Sequence, residues 1–486
     1  MLYINKNYRK NRKLTRCTIL TLIVLMPLFP IALLAAPIDN QYDNINVLIE
    51  STDRKHQLFY THFQTFLLNQ PEWPSEKYNK IAPLLSAIKR HAAKNNNILA
   101  ANLIFNNMTL LNENYDNGNI FYIIDILLKQ NDTKTAHKLF DIIKNEGDQA
   151  LISNAAYVFA TFSFKKNEWE KTLKFLDGVM GYLPEKNYHH ALLMQGISFQ
   201  KKKEQRTSMQ FYEKIKPSST YYLSARLNMA IANIKQGWWT DAHNIIQSAI
   251  KSAKQLNQEE ALNRLYLTLA YSLMSQQYYR DSRNFFRNIG INSIFSTRAL
   301  LGISLTAASQ DDFVGALSAA HMLKDKQTYD LSVDESYLLL PYFYEQLQQP
   351  TTASAGYLEA INYYQKRISD IQSILDADID LKNYPLDMNN NNITLKINNN
   401  PIDFSSEYPD YFLKNYLSLN DAEKYIKHSN SENIKIKYDQ LNAEYENIIV
   451  TMIRKILKKR IKHLDSYMGQ SRFGLANLYD NNLIDN

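Results

Sequence analysis

The sequence predicts an all-α protein built as an array of helix–turn–helix repeats. Three observations carry this reading: composition, helical apolar spacing, and a pattern that recurs along the chain. The 486 residues include only 12 glycines and 13 prolines, while aromatic residues make up 12%. Few breakers and many large apolar side chains suit helices with extensive contacts. The length accommodates several domains or one long array. Apolar residues recur at i, i+3, i+4 and i+7 through most of the chain, as amphipathic helices require.

The recurring pattern is clearest in residues 223–256. Ala230 lies on a first helix, Gly237 and Trp239 form a turn, and Ala242, Ile246 and Ala249 lie on a second helix. Asn167, Trp169, Thr172, Leu176 and Val179 repeat the pattern upstream, and Tyr279, Ser282, Phe286 and Ile289 repeat it downstream. The small residue of the second helix is Ala136, Thr172, Ser208, Ala242, Ser282, Ala316 and Ala353, in steps of 36, 36, 34, 40, 34 and 37. A single pair of amphipathic helices cannot bury its apolar stripe. Neighbouring pairs must therefore stack into a continuous core.

These residues resemble the tetratricopeptide-repeat family, whose unit is a helix–turn–helix of about 34 residues. The resemblance covers 117–366, about seven units. Ala230, Gly237, Trp239, Ala242 and Ala249 all fall on structural positions of that family. Lys203 and Gln277 depart from its turn glycine, and Pro341 departs from its small residue on the first helix. The resemblance implies a right-handed α-solenoid whose first helices line a groove that grips partner segments. Carried onto this chain, the groove positions are Lys129, Tyr157, Lys165, His190, Lys201, Asn228, Lys235, Arg264, Tyr271 and Arg298. They imply a mildly basic groove for an acidic or C-terminal peptide segment. A second reading of Lys129, Lys165, Lys201 and Lys235 needs no ligand, because lysine in the last turn complements the helix dipole. Trp238 lies outside the repeat pattern and is the candidate exposed contact.

The chain ends differ from the array. Lys6, Arg9, Lys10, Arg12, Lys13 and Arg16 precede an uncharged apolar run, 17–36, and no acidic residue occurs before Asp39. Residues 1–35 are expected to be a signal peptide or a retained N-terminal membrane anchor, placing the remainder in the bacterial periplasm. That anchor is the only expected attachment to the inner membrane. Residues 36–116 are expected to form N-terminal helices, either degenerate repeats or a cap. Residues 353–380 predict a long helix with a coiled-coil seam through Tyr364, Ile368 and Ile371. The asparagine-rich stretch 383–410 reads as a linker, and 411–480 as a C-terminal helical region that resumes the seam at Tyr438, Leu441 and Tyr445. The two seams are expected to pair as an antiparallel hairpin with Ile368 facing Tyr445. The ending "SYMGQSRFGLANLYDN" resembles the tails of exported tetratricopeptide-repeat proteins of the proteobacterial envelope.

Composition also bounds the chemistry. Subtracting the six N-terminal cations from the formal charge of +7 leaves +1, which argues against a general nucleic-acid binder. The sole cysteine, Cys17, lies in the apolar run, so disulfides and thiolate metal sites are excluded from the body. No phosphate-binding glycine loop, nucleophile elbow or zinc-binding histidine pair occurs. His137 and His243 follow packing alanines at one repeat position, and His189 and His190 diverge on a helix. The basic run 454–463 fits the outward face of a coiled coil. The reading is a non-enzymatic scaffold for envelope proteins, with no catalytic residue, metal or cofactor. Two alternatives remain beside it: a polysaccharide-associated module or enzyme, and a secreted effector.

Overall fold

The computed structural model describes residues 40–70, 76–326, 328–384, 386–389, 392–397, 400–404, 408–427 and 431–484. The expected signal or anchor, 1–35, lies outside the described residues. No described helix is long and apolar enough to cross a membrane. The chain divides into two compact units, each made of separated stretches. The first unit comprises 39–232 and 380–455, and the second comprises 233–379 and 456–486.

The first unit begins with α1, Asn40–Leu68. Helix pairs follow in order: α2 (Ile81–Ala93) and α3 (Asn97–Asn106), then the short α4 (Met108–Glu113), then α5 (Ile120–Lys129) and α6 (Thr133–Glu146). They continue with α7 (Gln149–Lys165) and α8 (Trp169–Leu176), then α9 (Glu185–Lys201) and α10 (Gln205–Glu213). Helix α11, Tyr222–Lys235, spans the division between the units. The second unit continues with α12 (Trp239–Gln255), α13 (Glu259–Ser275), α14 (Tyr279–Arg287), α15 (Ser296–Ala308), α16 (Phe313–Lys324), α17 (Leu331–Gln346) and α18 (Pro350–Asp376).

One turn geometry joins the helices of every pair. In the first unit Asn95, Asn131, Asn167 and Lys203 adopt φ values of 56°, 60°, 60° and 68°. In the second unit Gly237, Gln277, Asp311 and Gln348 do the same at 77°, 65°, 59° and 59°. The amide after each of them closes back on the carbonyl five residues earlier: Asp132 to Leu127, Glu168 to Ser163, Glu204 to Phe199, Trp238 to Asn233, Tyr278 to Leu273, Asp312 to Ala307 and Gln349 to Tyr344, all at 2.9–3.0 Å. This is the Schellman motif, which satisfies otherwise unpaired carbonyls at a helix end. The same residue then opens the second helix, and the Asp132 and Asp312 side chains accept from the Thr135 and Gly315 amides as N-caps.

The small residues do the packing that the repeat pattern demands. Ala136, Thr172, Ser208, Ala242, Ser282, Ala316 and Ala353 are all fully buried. Ala230 and Ala249 are likewise fully buried, and Gly237 holds its positive φ at the turn between α11 and α12. Trp239 begins α12 and is half-buried. The turn at Asn95 lies 36 residues before that at Asn131 and shares its bonding, so α2 and α3 form a further pair with the repeat turn.

Beyond α18 the chain returns to the first unit. The stretch read as an asparagine-rich linker instead carries a three-stranded antiparallel sheet: β1 (Asp387–Asn389), β2 (Asn392–Ile397) and β3 (Asn400–Asp403), in the order β1-β2-β3. Leu395 pairs with Ile402 in this register. Alternate residues Ile393, Leu395 and Ile397 are buried, as are Ile402 and Phe404, which supplies the reason for the fold. Helix α19, Asp410–Ile426, follows, then α20, Glu432–Ile484, which spans the division.

The expected hairpin register is also corrected. In the second unit Tyr467 of α20 meets Tyr364 of α18 with ring centroids 5.9 Å apart, and Gly474 lies against Tyr357. The direction is antiparallel, but Tyr445 has other partners. It packs in the first unit against Phe412 at 4.7 Å and shares a 2.8 Å hydrogen bond with His56. The seams have the same heptad period, so periodicity alone leaves the offset open; aromatic packing fixes it. In the basic run, Ile453, Leu457 and Leu464 are buried while Lys458, Lys459 and Lys462 are exposed.

Candidate peptide-binding face

In the first unit, the first helices of successive pairs bring a compact polar and aromatic group together. Tyr157 of α7 and His190 of α9 share a 2.7 Å hydrogen bond between Oη and Nδ1. The His190 ring stacks on Tyr221, just before α11, at 4.8 Å and 23°. Helical periodicity and the turn spacing place the three side chains side by side on consecutive layers. Burial raises the Tyr157 phenol to about 12, so it remains a neutral donor or acceptor. Burial, and then the positive charge of Lys165, lowers the His190 imidazole below its ordinary value.

Cations end these helices. Lys165 and Lys201 are the last residues of α7 and α9 and are exposed, and neither holds an ion pair among the described residues. Lys201 Nζ lies 6.0 Å from the centroid of the Trp169 ring. Lys129, at the end of α5, differs: its ammonium pairs with Asp125 at 2.6 Å. Asn228 donates to the Ser224 carbonyl at 2.8 Å, and its own carbonyl accepts from Gln200 at 3.4 Å. Its carboxamide is therefore engaged within its own helix rather than presented without a partner.

The second unit treats its candidate residues separately. Lys235, Arg264 and Arg298 are exposed. Tyr271, read as a groove residue, is buried and only 5% exposed. Its hydroxyl donates to the Arg298 carbonyl at 3.1 Å, and its ring meets Phe286 edge-on at 4.9 Å. The phenol is large enough to cross the layer and tie α13 to α15, so it belongs to the core. Trp238 is half-buried rather than exposed. Its backbone amide closes the Schellman bond at the turn that precedes α12.

Sequence reasoning missed Tyr221 because it precedes its helix and falls outside the repeat positions. It also missed the buried polar group around Asp53. That carboxylate pairs with Lys166 at 2.5 Å and accepts from Asn131 and Asn415, each at 3.0 Å. Lys166 Nζ also lies 5.1 Å from the ring centroids of Phe162 and Tyr411. Four separated stretches supply this group, so no local motif announces it. Among the described residues, no cluster of three or more metal-ligating side chains occurs.

The repeat turn, the buried small residues and the stacked helix pairs define a tetratricopeptide-like helical-repeat architecture. No family model matches the chain, and no curated protein matches it in sequence. Solved structures overlap parts of it. The apo form of RapI is 13% identical with a TM-score of 0.44, covering 60% of this chain and 89% of that one. Aspartyl phosphate phosphatase F from Bacillus subtilis is 15% identical with a TM-score of 0.38, covering 65% and 89%. A tetratricopeptide repeat protein from Parabacteroides merdae is 14% identical with a TM-score of 0.34, covering 53% and 97%.

Proposed function

We propose that this protein is a non-enzymatic interaction scaffold that holds an extended, acidic partner segment along the first helices of its first unit. The observation that carries the reading is the pairing of two exposed helix-end cations, Lys165 and Lys201, with the Tyr157–His190–Tyr221 group. The lysines supply charge-assisted hydrogen bonds to carboxylates, and the aromatic group supplies flat apolar area with polar edges. Lys129 contributes less because Asp125 already neutralises it. A C-terminal carboxylate is one acidic group that this face suits.

The basic head and apolar run at 6–36 support export, and we place the scaffold in the bacterial periplasm, supporting an envelope assembly. Affinity capture from envelope fractions identifies the partner. The double reversal Lys165→Glu with Lys201→Glu then tests the face. Charge-assisted contacts contribute about 1.5–3 kcal/mol each, so affinity for that partner is expected to fall at least tenfold with an unchanged helical spectrum. Unchanged affinity in the folded variant would sink the reading.

A further inference from the structure

The second unit buries two adjacent carboxyls, Asp334 and Glu335, in the first turns of α17. Their surroundings differ. Asp334 pairs with Arg460 of α20 and accepts from the Tyr363 hydroxyl at 2.7 Å. Its backbone carbonyl accepts from Tyr364 at 2.7 Å, and Arg367 adds a second positive field at its carboxylate. Glu335 has no such compensation. Tyr467 of α20 donates to it at 3.5 Å, and the neutral phenols of Tyr271 on α13 and Tyr364 on α18 also face it.

A buried carboxylate with one distant hydroxyl donor is unfavourable, whereas a carboxylic acid in the same place is not. Burial pushes Glu335 up to about 8, against the smaller opposing effect of the Tyr467 hydrogen bond. Tyr467 belongs to the part of α20 that lies against α18, where Gly474 also fits over Tyr357. A side chain at position 474 would overlap the Tyr357 ring, so this contact is close enough to respond to small displacements.

We propose that a proton on Glu335 clasps residues 456–484 of α20 onto the last repeat, so that this arm loosens as the solution becomes alkaline. Loosening hydrates Glu335 and bares the face of α18 that carries Tyr357 and Tyr364. The clasp joins one neutral acid and one ion pair across the same contact: Arg460 holds Asp334, while Tyr467 covers the acid beside it. The sign follows from linkage. With the arm released, Glu335 returns towards the ordinary value of 4.5. The clasped state therefore holds one proton more between that value and about 8. Docking is at full strength below the lower value, weakens by about tenfold per pH unit through the window, and levels off above it.

Amide hydrogen exchange of the full chain tests this, with each rate referred to its intrinsic value at the same pH. Between about pH 6 and pH 8, protection of residues 460–475 is expected to fall roughly a hundredfold. Protection of α15 is expected to stay level. Glu335→Gln, which is neutral at every pH, is expected to keep the arm protected across the range. A level profile in the natural chain overturns the proposal, and that measurement needs no variant. A parallel fall in α15 overturns it too, because the whole unit is then opening. So does a slope in Glu335→Gln equal to that of the natural chain.

Discussion

Asn131, Asn167, Lys203, Gln277, Asp311 and Gln348 hold φ between 59° and 68° without being glycine. A side chain in that region costs roughly 1–2 kcal/mol, and the paired Schellman bonds hold it there. Gly237 was legible as a turn because the residue itself implies the conformation. The other positions were legible only through their spacing. Tyr271 shows the opposite: repeat position alone points to the groove, but its ring crosses the layer to Arg298 and becomes core. Gly196 gives a residue-scale prediction. A Cβ there would fall on the ring of the buried Tyr212, whose hydroxyl donates to Gln200 at 2.7 Å. Gly196→Ala is expected to destabilise by about 1–3 kcal/mol in denaturant unfolding. Gly181→Ala, at a position with open space, is expected to change stability by less than about 0.5 kcal/mol.

Single elements are decided by partners that are remote in sequence. "NITLKI" alternates as a buried strand should, yet the asparagines around it suggest a linker when read by composition. Pairing with β3 and burial of Ile393, Leu395 and Ile397 settle the matter. Helix α1 is held in the first unit through Asp53 in the same way. Asp53→Asn removes the charge that compensates buried Lys166, at a cost of about 3–5 kcal/mol. The double change Asp53→Leu with Lys166→Met removes both charges and is expected to be milder than the single change. Comparing the two unfolding curves separates the ion pair from simple packing. A double variant at least as unstable as Asp53→Asn would show that shape, rather than charge, governs this contact.

The repeats were legible in the sequence because each reuses one local geometry, whereas membership of the two compact units was not. The first unit takes residues from both sides of 233–379, and the asparagine-rich composition at 383–401 marks a break there without showing which unit the chain then joins. Asn415 donates to Asp53 at 3.0 Å, and Tyr445 holds His56 at 2.8 Å. A chain truncated after residue 379 lacks both contacts while retaining every repeat of the array. Hydrogen exchange of that fragment is expected to show α1 losing protection by at least tenfold, with α9 less affected. Equal protection in fragment and full chain would mean that the returning segment adds little to the first unit.

That return also sets a timetable. Asp53 and Asn415 are separated by 362 positions. At roughly 5–20 residues per second of synthesis, the carboxylate is made about 20–70 seconds before its last hydrogen-bond donor. Asn131 and Lys166 follow Asp53 by 78 and 113 positions and so become available within that interval, while α19 and the start of α20 do not yet exist. Helix α1, made early, is thus among the last elements to be completed.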